Sequence, residues 1–209
     1  MKSVNGWYFP DDETHIIKYM DSMKTTEYQS KHQKESVSYC DQFRTAIDIG
    51  AHIGLWARGL TDIFERVICF EPNEERASLI ALNAPKVLTI QQVALGSREM
   101  RVAMIEPPGD SGGGRIDRGA TGTIPMVLLD SYGLSEVDFI KIDVEGYELD
   151  VLKGAAETLK NNSPVIILEQ KPKNFDPSEE PHAAVKFLIH ELGFRVVGKV
   201  VDDWIMKKI

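Results

Sequence analysis

Only two cysteines, Cys40 and Cys69, occur in the 209 residues. That leaves no disulfide framework and no zinc constellation, and it fits a reducing compartment. No apolar run approaches the ~18 residues of a membrane span, so none is expected. The first residues, MKSVNGWYFPDD, lack the apolar core of a secretory signal. Positive charge is scarce: 24 Lys and Arg stand against 32 Asp and Glu, a formal charge of -8. A chain this acidic lacks the bulk electrostatic footprint of a duplex-DNA binder, and no nucleic-acid partner is expected. Repeats and low-complexity tracts are absent.

What is present is ordinary globular composition, 43% hydrophobic and 27% charged. The length is about 1.4 average domains, enough to bury a sizeable core. One cytoplasmic α/β domain with an embellishment is the natural reading. Residues 1–43 mix aromatics with acids and then turn polar, as one or two short helices lying on a domain would. From Thr45 the punctuation becomes regular. Strands are expected at Thr45–Gly50, Arg66–Phe70 and Val87–Leu95, with helices at Leu55–Ile63 and Glu74–Asn83. Two further strand-like stretches, Met100–Glu106 and Thr123–Leu129, flank the glycine-dense segment 107–122, which reads as a mobile loop or lid. The alternation resumes with a strand at Asp138–Asp143. A helical stripe follows at Leu149, Leu152, Ala156 and Leu159, then a strand at Pro164–Gln170. Val185, Leu188, Ile189 and Leu192 form another stripe, closed by Gly193. Phe194–Val201 and Trp204–Ile209 suggest a terminal hairpin. Strands alternating with helices imply a parallel sheet covered on both faces.

Three constellations at strand ends carry the candidate chemistry. Asp48-Ile-Gly50-Ala-His52-Ile-Gly54 follows the first strand. Glycine lets backbone approach a ligand closely, yet the G-x-G-x-x-G fingerprint is absent. Asp48 would repel a pyrophosphate and attract a cationic amine. The plainer alternative is a tight strand-to-helix turn. Glu71 ends the second strand, where a carboxylate can accept from both ribose hydroxyls; alternatively it is a solvated acid before Pro72. With the glycine loop, it points to an adenosine-containing ligand. Lys141-Ile-Asp143-Val-Glu145-Gly146-Tyr-Glu148 ends the strand after the insertion. That strand is expected beside the first, at the switch point where open α/β sheets bind ligands. Lys141 and Asp143 alternate to one face, Ile140 and Ile142 to the other. The alternative is that Asp143 or Glu145 caps the next helix and Lys141 pairs with one of them. Cys69 reads as a core thiol, and Trp7, Tyr8 and Phe9 as packing more than a sugar platform. His15, His32, His182 and His190 are too scattered for a metal site.

VDFIKIDVEGYELDVLKGAAETLKNNSPVIILEQ resembles the hallmark segment of the FkbM family of S-adenosylmethionine-dependent methyltransferases. AIDIGAHIGLW, VICFEPNEE, VALGS and VLLD resemble the family's other blocks, in the family's order. The likeness runs from about Thr45 to Glu169 and more loosely to Phe194; it is weak over residues 1–43. It implies an α/β class I methyltransferase (Rossmann-like) fold, with a seven-stranded, mostly parallel sheet, an antiparallel last strand and helices on both faces. The division that follows is a helical extension over 1–43 and a methyltransferase domain over 44–209. The resemblance also implies S-adenosylmethionine as cofactor. Asp48, Gly50, Ala51, His52 and Gly54 would then line its methionine and ribose side. Glu71 would hold the ribose, with Asn73 and Ala94 near the adenosine. His52 stands where the family usually has Asn, and Tyr147 where a small residue is common.

The leading expectation is an O-methyltransferase acting on a hydroxyl of a sugar, glycan or other small metabolite, the acceptor class coming from the resemblance. Asp143 and Glu145 are candidate bases and Lys141 a stabiliser of developing oxygen charge. A divalent ion on Asp130, Asp143 or Glu145 could serve the same end, though no metal is expected. The rivals are a nucleic-acid methyltransferase and a non-catalytic, S-adenosylmethionine-binding assembly module. The acidic charge and the lack of an Asn-or-Asp-Pro-Pro-Tyr motif oppose the first, and the carboxylates of KIDVEG the second.

Overall fold

The computed structural model describes residues 1–87, 89–170 and 180–209. In chain order the strands and helices are β1 (Lys2–Val4), β2 (Trp7–Phe9), α1 (His15–Ser22), α2 (Ser30–Val37), β3 (Thr45–Ile49), α3 (Ala57–Leu60), β4 (Arg66–Phe70), α4 (Glu74–Asn83), β5 (Thr89–Gln91), β6 (Ala94–Leu95), β7 (Met100–Ile105), β8 (Arg115–Asp117), β9 (Ile124–Val127), β10 (Val137–Ile142), α5 (Glu148–Lys153), α6 (Ala156–Asn162), β11 (Val165–Glu169), α7 (Ala183–His190), β12 (Arg195–Val200) and β13 (Asp203–Lys207). Among the described residues the main sheet has seven strands in the order β12-β13-β11-β10-β3-β4-β5. The β11–β10, β10–β3, β3–β4 and β4–β5 pairs are parallel, and β13 runs antiparallel to both its neighbours.

The central strands are apolar runs because both faces are covered. Ile47, Ile49, Ile68, Phe70, Ile140 and Ile142 pack under α5, α6 and α7 through Val151, Leu152, Leu159, Val185 and Leu188. Ala46, Val67, Cys69, Phe139 and Ile167 face the other way, against Val37, Ala57, Leu60 and Ile80 from α2, α3 and α4. The two sets alternate residue by residue, as the pleat requires. Asp48 and Lys141 are cross-strand partners on this second face.

Several elements differ from the sequence reading. The helix expected over Leu55–Ile63 is the single turn α3. The strand expected over Val87–Leu95 splits into β5 and β6, and β6 joins a separate four-stranded sheet, β6-β9-β7-β8; Leu88 lies outside the described residues. The stripe from Leu149 to Leu159 spans two helices, broken at Gly154, whose hypothetical Cβ would sit 1.9 Å from the Gly96 carbonyl oxygen. Insertion 107–122 carries strand β8, paired antiparallel to β7. Residues 1–43 hold a β1–β2 hairpin as well as two helices. Trp7, Phe9, Ile16 and Met20 bury themselves against Ile53, Leu55 and Leu79, which fixes this segment on the sheet's flank. Asn83 clamps it from α4, accepting the Tyr8 N–H at 2.8 Å and donating to the Tyr8 carbonyl at 2.9 Å. Among the described residues no helix is long and apolar enough to cross a membrane.

Candidate active site

The carboxyl ends of β3, β4, β10 and β11 open into a cleft of ≈ 1170 Å³, part of it open to solvent. The switch point lies between β3 and β10, whose chains continue to opposite sides of the sheet. Gly50 makes their ends meet. At φ +74°, its hypothetical Cβ would fall 1.9 Å from the backbone oxygen of Asp143, so only glycine fits. His52, at φ +54°, also takes the left-handed conformation, in which His is enriched along with Asn and Asp. That turn aims the His52 backbone N–H at Glu71 Oε2, 2.9 Å away.

Glu71 is buried at the end of β4. Its Oε1 accepts the Asn73 N–H at 3.0 Å and lies 3.6 Å from Arg76 Nε. Burial pushes its carboxyl up, and Arg76 and the two backbone donors pull it back. Arg76, itself buried on α4, also donates to the Ser111 carbonyl at 2.6 Å and to Glu106. It therefore ties the Glu71 side of the cleft to the glycine-rich insertion, which contributes Gly112, Gly113, Gly114 and Arg115 to the lining.

At the end of β10, the Lys141 ammonium lies 3.3 Å from Asp143 Oδ2 and 3.7 Å from Asp48 Oδ1. Burial alone would push Lys141 down, but Asp143, Asp48 and Glu169 outweigh it and hold the ammonium above its usual range. Asp48 is completely buried, with Lys141 as its counter-charge. Burial raises its carboxyl, with Lys141 opposing. Asp143, Glu145 and Glu169 each present an oxygen, all within 4.8 Å of one another. Carboxylates so grouped could take a hard divalent cation. Asp130 is not among them: its oxygens accept from the Glu157 and Thr158 N–H groups and the Thr158 hydroxyl, capping α6. Nor does Asp143 or Glu145 hold the N-cap position of α5, which is Tyr147.

Of the residues singled out in the sequence, Gly50, Ala51, His52, Glu71, Ala94, Lys141, Asp143 and Glu145 line this one cleft. Asp48 stands behind Lys141. Gly54, at φ +88°, turns the chain against Ile80. Asn73 is drawn to the start of α4, where its Oδ1 accepts the Arg76 N–H at 2.9 Å and its Nδ2 donates to Glu106. Sequence reasoning missed Glu169, Arg76, Tyr28 and Trp56, all in the lining. Glu169 alone left a signal, as the acid that ends the apolar run VIIL.

This strand order, with its single antiparallel strand and its cleft at the switch point, defines a class I methyltransferase fold. The Methyltransferase FkbM domain family matches residues 48–196. The chain belongs to that family. Among solved structures it is similar to a methyltransferase FkbM from Methylobacillus flagellatus KT, at 19% identity and TM-score 0.51, over 78% of this chain and 43% of that one. It thus spans less than half the length of that relative. It is also similar to magnesium protoporphyrin IX methyltransferase from Synechocystis PCC 6803, solved with bound SAM, at 11% identity and TM-score 0.50, over 95% of this chain and 93% of that one. No curated protein matches the sequence.

Proposed function

We propose that the protein transfers a methyl group from S-adenosylmethionine to a hydroxyl of a sugar, glycan or other small metabolite. One observation carries this reading. A single cleft is lined by the Gly50–His52 loop, Glu71, Lys141, Asp143 and Glu145. The residues fit the cofactor, because Glu71 at the end of β4 lines the cleft and retains lone pairs for ribose hydroxyls. When bound, S-adenosylmethionine supplies a methyl group on a cationic sulfur that leaves as a neutral thioether.

The carboxylates of Asp143 and Glu145 favour a cationic centre in the cleft they line. Asp143 takes the proton of the acceptor hydroxyl, a poor nucleophile without a base. Lys141 stabilises negative charge developing on that oxygen. Holding the acceptor in line is worth roughly 7–11 kcal/mol. The carboxylate wall and the charge of -8 speak against a nucleic-acid acceptor. Two unpaired cysteines, Cys40 and Cys69, suit the reducing cytoplasm.

A tritiated-methyl transfer screen over sugars, glycans and lipids tests the proposal. Labelled product from a hydroxyl acceptor is the expected result; labelled RNA or DNA in its place would refute it. On the cofactor side, Glu71→Gln is expected to weaken S-adenosylmethionine binding through a lost charge-assisted contact of about 1.5–3 kcal/mol. Calorimetric titration reads this, and equal affinities would remove Glu71 from the site.

A further inference from the structure

Three segments far apart in sequence meet beside the cleft. Glu13, in the segment ahead of the main sheet, is fully buried. Its Oε1 accepts the Ile16 backbone N–H at 2.7 Å, and its Oε2 accepts the Ser111 backbone N–H at 2.9 Å. The Ser111 hydroxyl is bonded to the same Oε2. Ser111 belongs to the glycine-rich insertion, and its Oγ lies 2.8 Å from Nε2 of His52. His52 lines the cleft, and its own backbone N–H is held by Glu71.

We propose that Glu13 is a positioning residue for the cofactor, acting through Ser111 to hold His52 as the Nε2–H tautomer. This rests on the S-adenosylmethionine reading above. The hydrogen-bond inventory selects the tautomer. Each oxygen of Glu13 already accepts a backbone N–H, so Glu13 is an acceptor toward Ser111 as well. A hydroxyl has one proton to give. Ser111 gives it to Glu13 and must therefore accept from His52, which places the ring proton on Nε2. Burial, reinforced by Arg76 and Lys141, pushes His52 down to about 3, so the ring is neutral and carries that proton alone.

Nδ1 is left as a bare acceptor. It is buried and has no hydrogen-bond partner among the described residues. Unsatisfied acceptors of this kind are rare because burying them is costly. His52 lines the cleft that S-adenosylmethionine would fill, and a turn of the ring on binding would bring Nδ1 to one of its hydroxyl or amine donors. Glu13 thus makes the segment ahead of the sheet part of the cofactor site without touching the cofactor.

Nitrogen-15 spectra of the unliganded protein read the tautomer directly, with His52 assigned by its loss in His52→Asn. Nε2–H is expected. In Glu13→Ala the Ser111 hydroxyl loses its acceptor and turns its proton to Nε2, and His52 switches to Nδ1–H. In Glu13→Gln the amide oxygen turns to the two Ser111 donors, so the ring keeps Nε2–H. S-adenosylmethionine affinity, measured by calorimetric titration, is expected to fall about tenfold in Glu13→Ala and similarly in Ser111→Ala, and to stay near the wild-type value in Glu13→Gln. In a His52→Asn background, Glu13→Ala adds no further loss, because its effect passes through the ring. An Nδ1–H ring in the wild type, an unchanged tautomer in Glu13→Ala, or losses that multiply in the double variant would each overturn the proposal. A wild type that does not bind S-adenosylmethionine defeats the function reading and this proposal with it. That failure is recognisable, because the tautomer measurement needs no cofactor.

Discussion

Asp143→Asn is expected to lower methyl transfer by about 10²–10⁴, the usual loss when a general base is removed, while S-adenosylmethionine affinity stays within a few-fold. Asparagine keeps the size and hydrogen-bonding shape and removes the charge and basicity. The backbone there is held independently of the side chain: the Asp143 N–H donates to Ile49 at 3.1 Å, and its carbonyl packs under Gly50. Lys141 retains Asp48 at 3.7 Å, so its ammonium is not stranded. Fold and cofactor loop should therefore survive, and single-turnover rates with labelled cofactor isolate the chemistry. Chelator treatment of the wild type separates two active roles. A base is indifferent to it, whereas an ion held by Asp143, Glu145 and Glu169 is not. A fully active Asp143→Asn enzyme would sink both roles and leave Glu145 as the carboxylate to test.

The parallel core was legible because strands buried on both faces read as apolar runs, and TAIDI, RVICF and VIILE are such runs. The break at Gly154 was not, because α5 and α6 present one face to the core and the stripe from Leu149 to Leu159 keeps its period across it. Position in the sheet decided what the acids do. Glu169 looks like the solvated end of a strand until β11 pairs beside β10 and brings it to Asp143. Asp130 has the reverse history: close to KIDVEG in sequence, it is turned to α6, where backbone donors claim it. Arg76 sits in the first turn of α4, a place that reads as solvent-facing, and only the insertion folding over it buries the guanidinium. Glu13 and Ser111 left no pattern, since 98 residues separate them and a hydrogen bond across that distance has no periodicity.

Lys141→Met is expected to destabilise the protein by about 3–5 kcal/mol at neutral pH, the range for removing one partner of a buried ion pair. The methionine fills much of the volume of the lysine stem, so the loss is electrostatic. Lys141 is 6% exposed, and it is the cation that faces the fully buried Asp48. Without it the Asp48 charge stays buried and uncompensated. The pH dependence follows from the direction of the Asp48 shift. Burial raises that carboxyl in the folded state and Lys141 opposes the rise, so Lys141→Met raises it further. A carboxyl raised on folding favours the folded state most where it is protonated, below its unfolded value. That advantage is lost as pH climbs through the folded value. The stability gap between variant and wild type should therefore narrow on acidification and widen toward neutral pH. Urea unfolding at a series of pH values measures it, and a gap constant with pH would trace the loss to packing against Trp56, whose ring lies 5.8 Å from Nζ. Adding Asp48→Asn to Lys141→Met should restore much of the stability, because the double variant has no buried charge to strand. If it restores none, Asp48 is not the group that Lys141 serves.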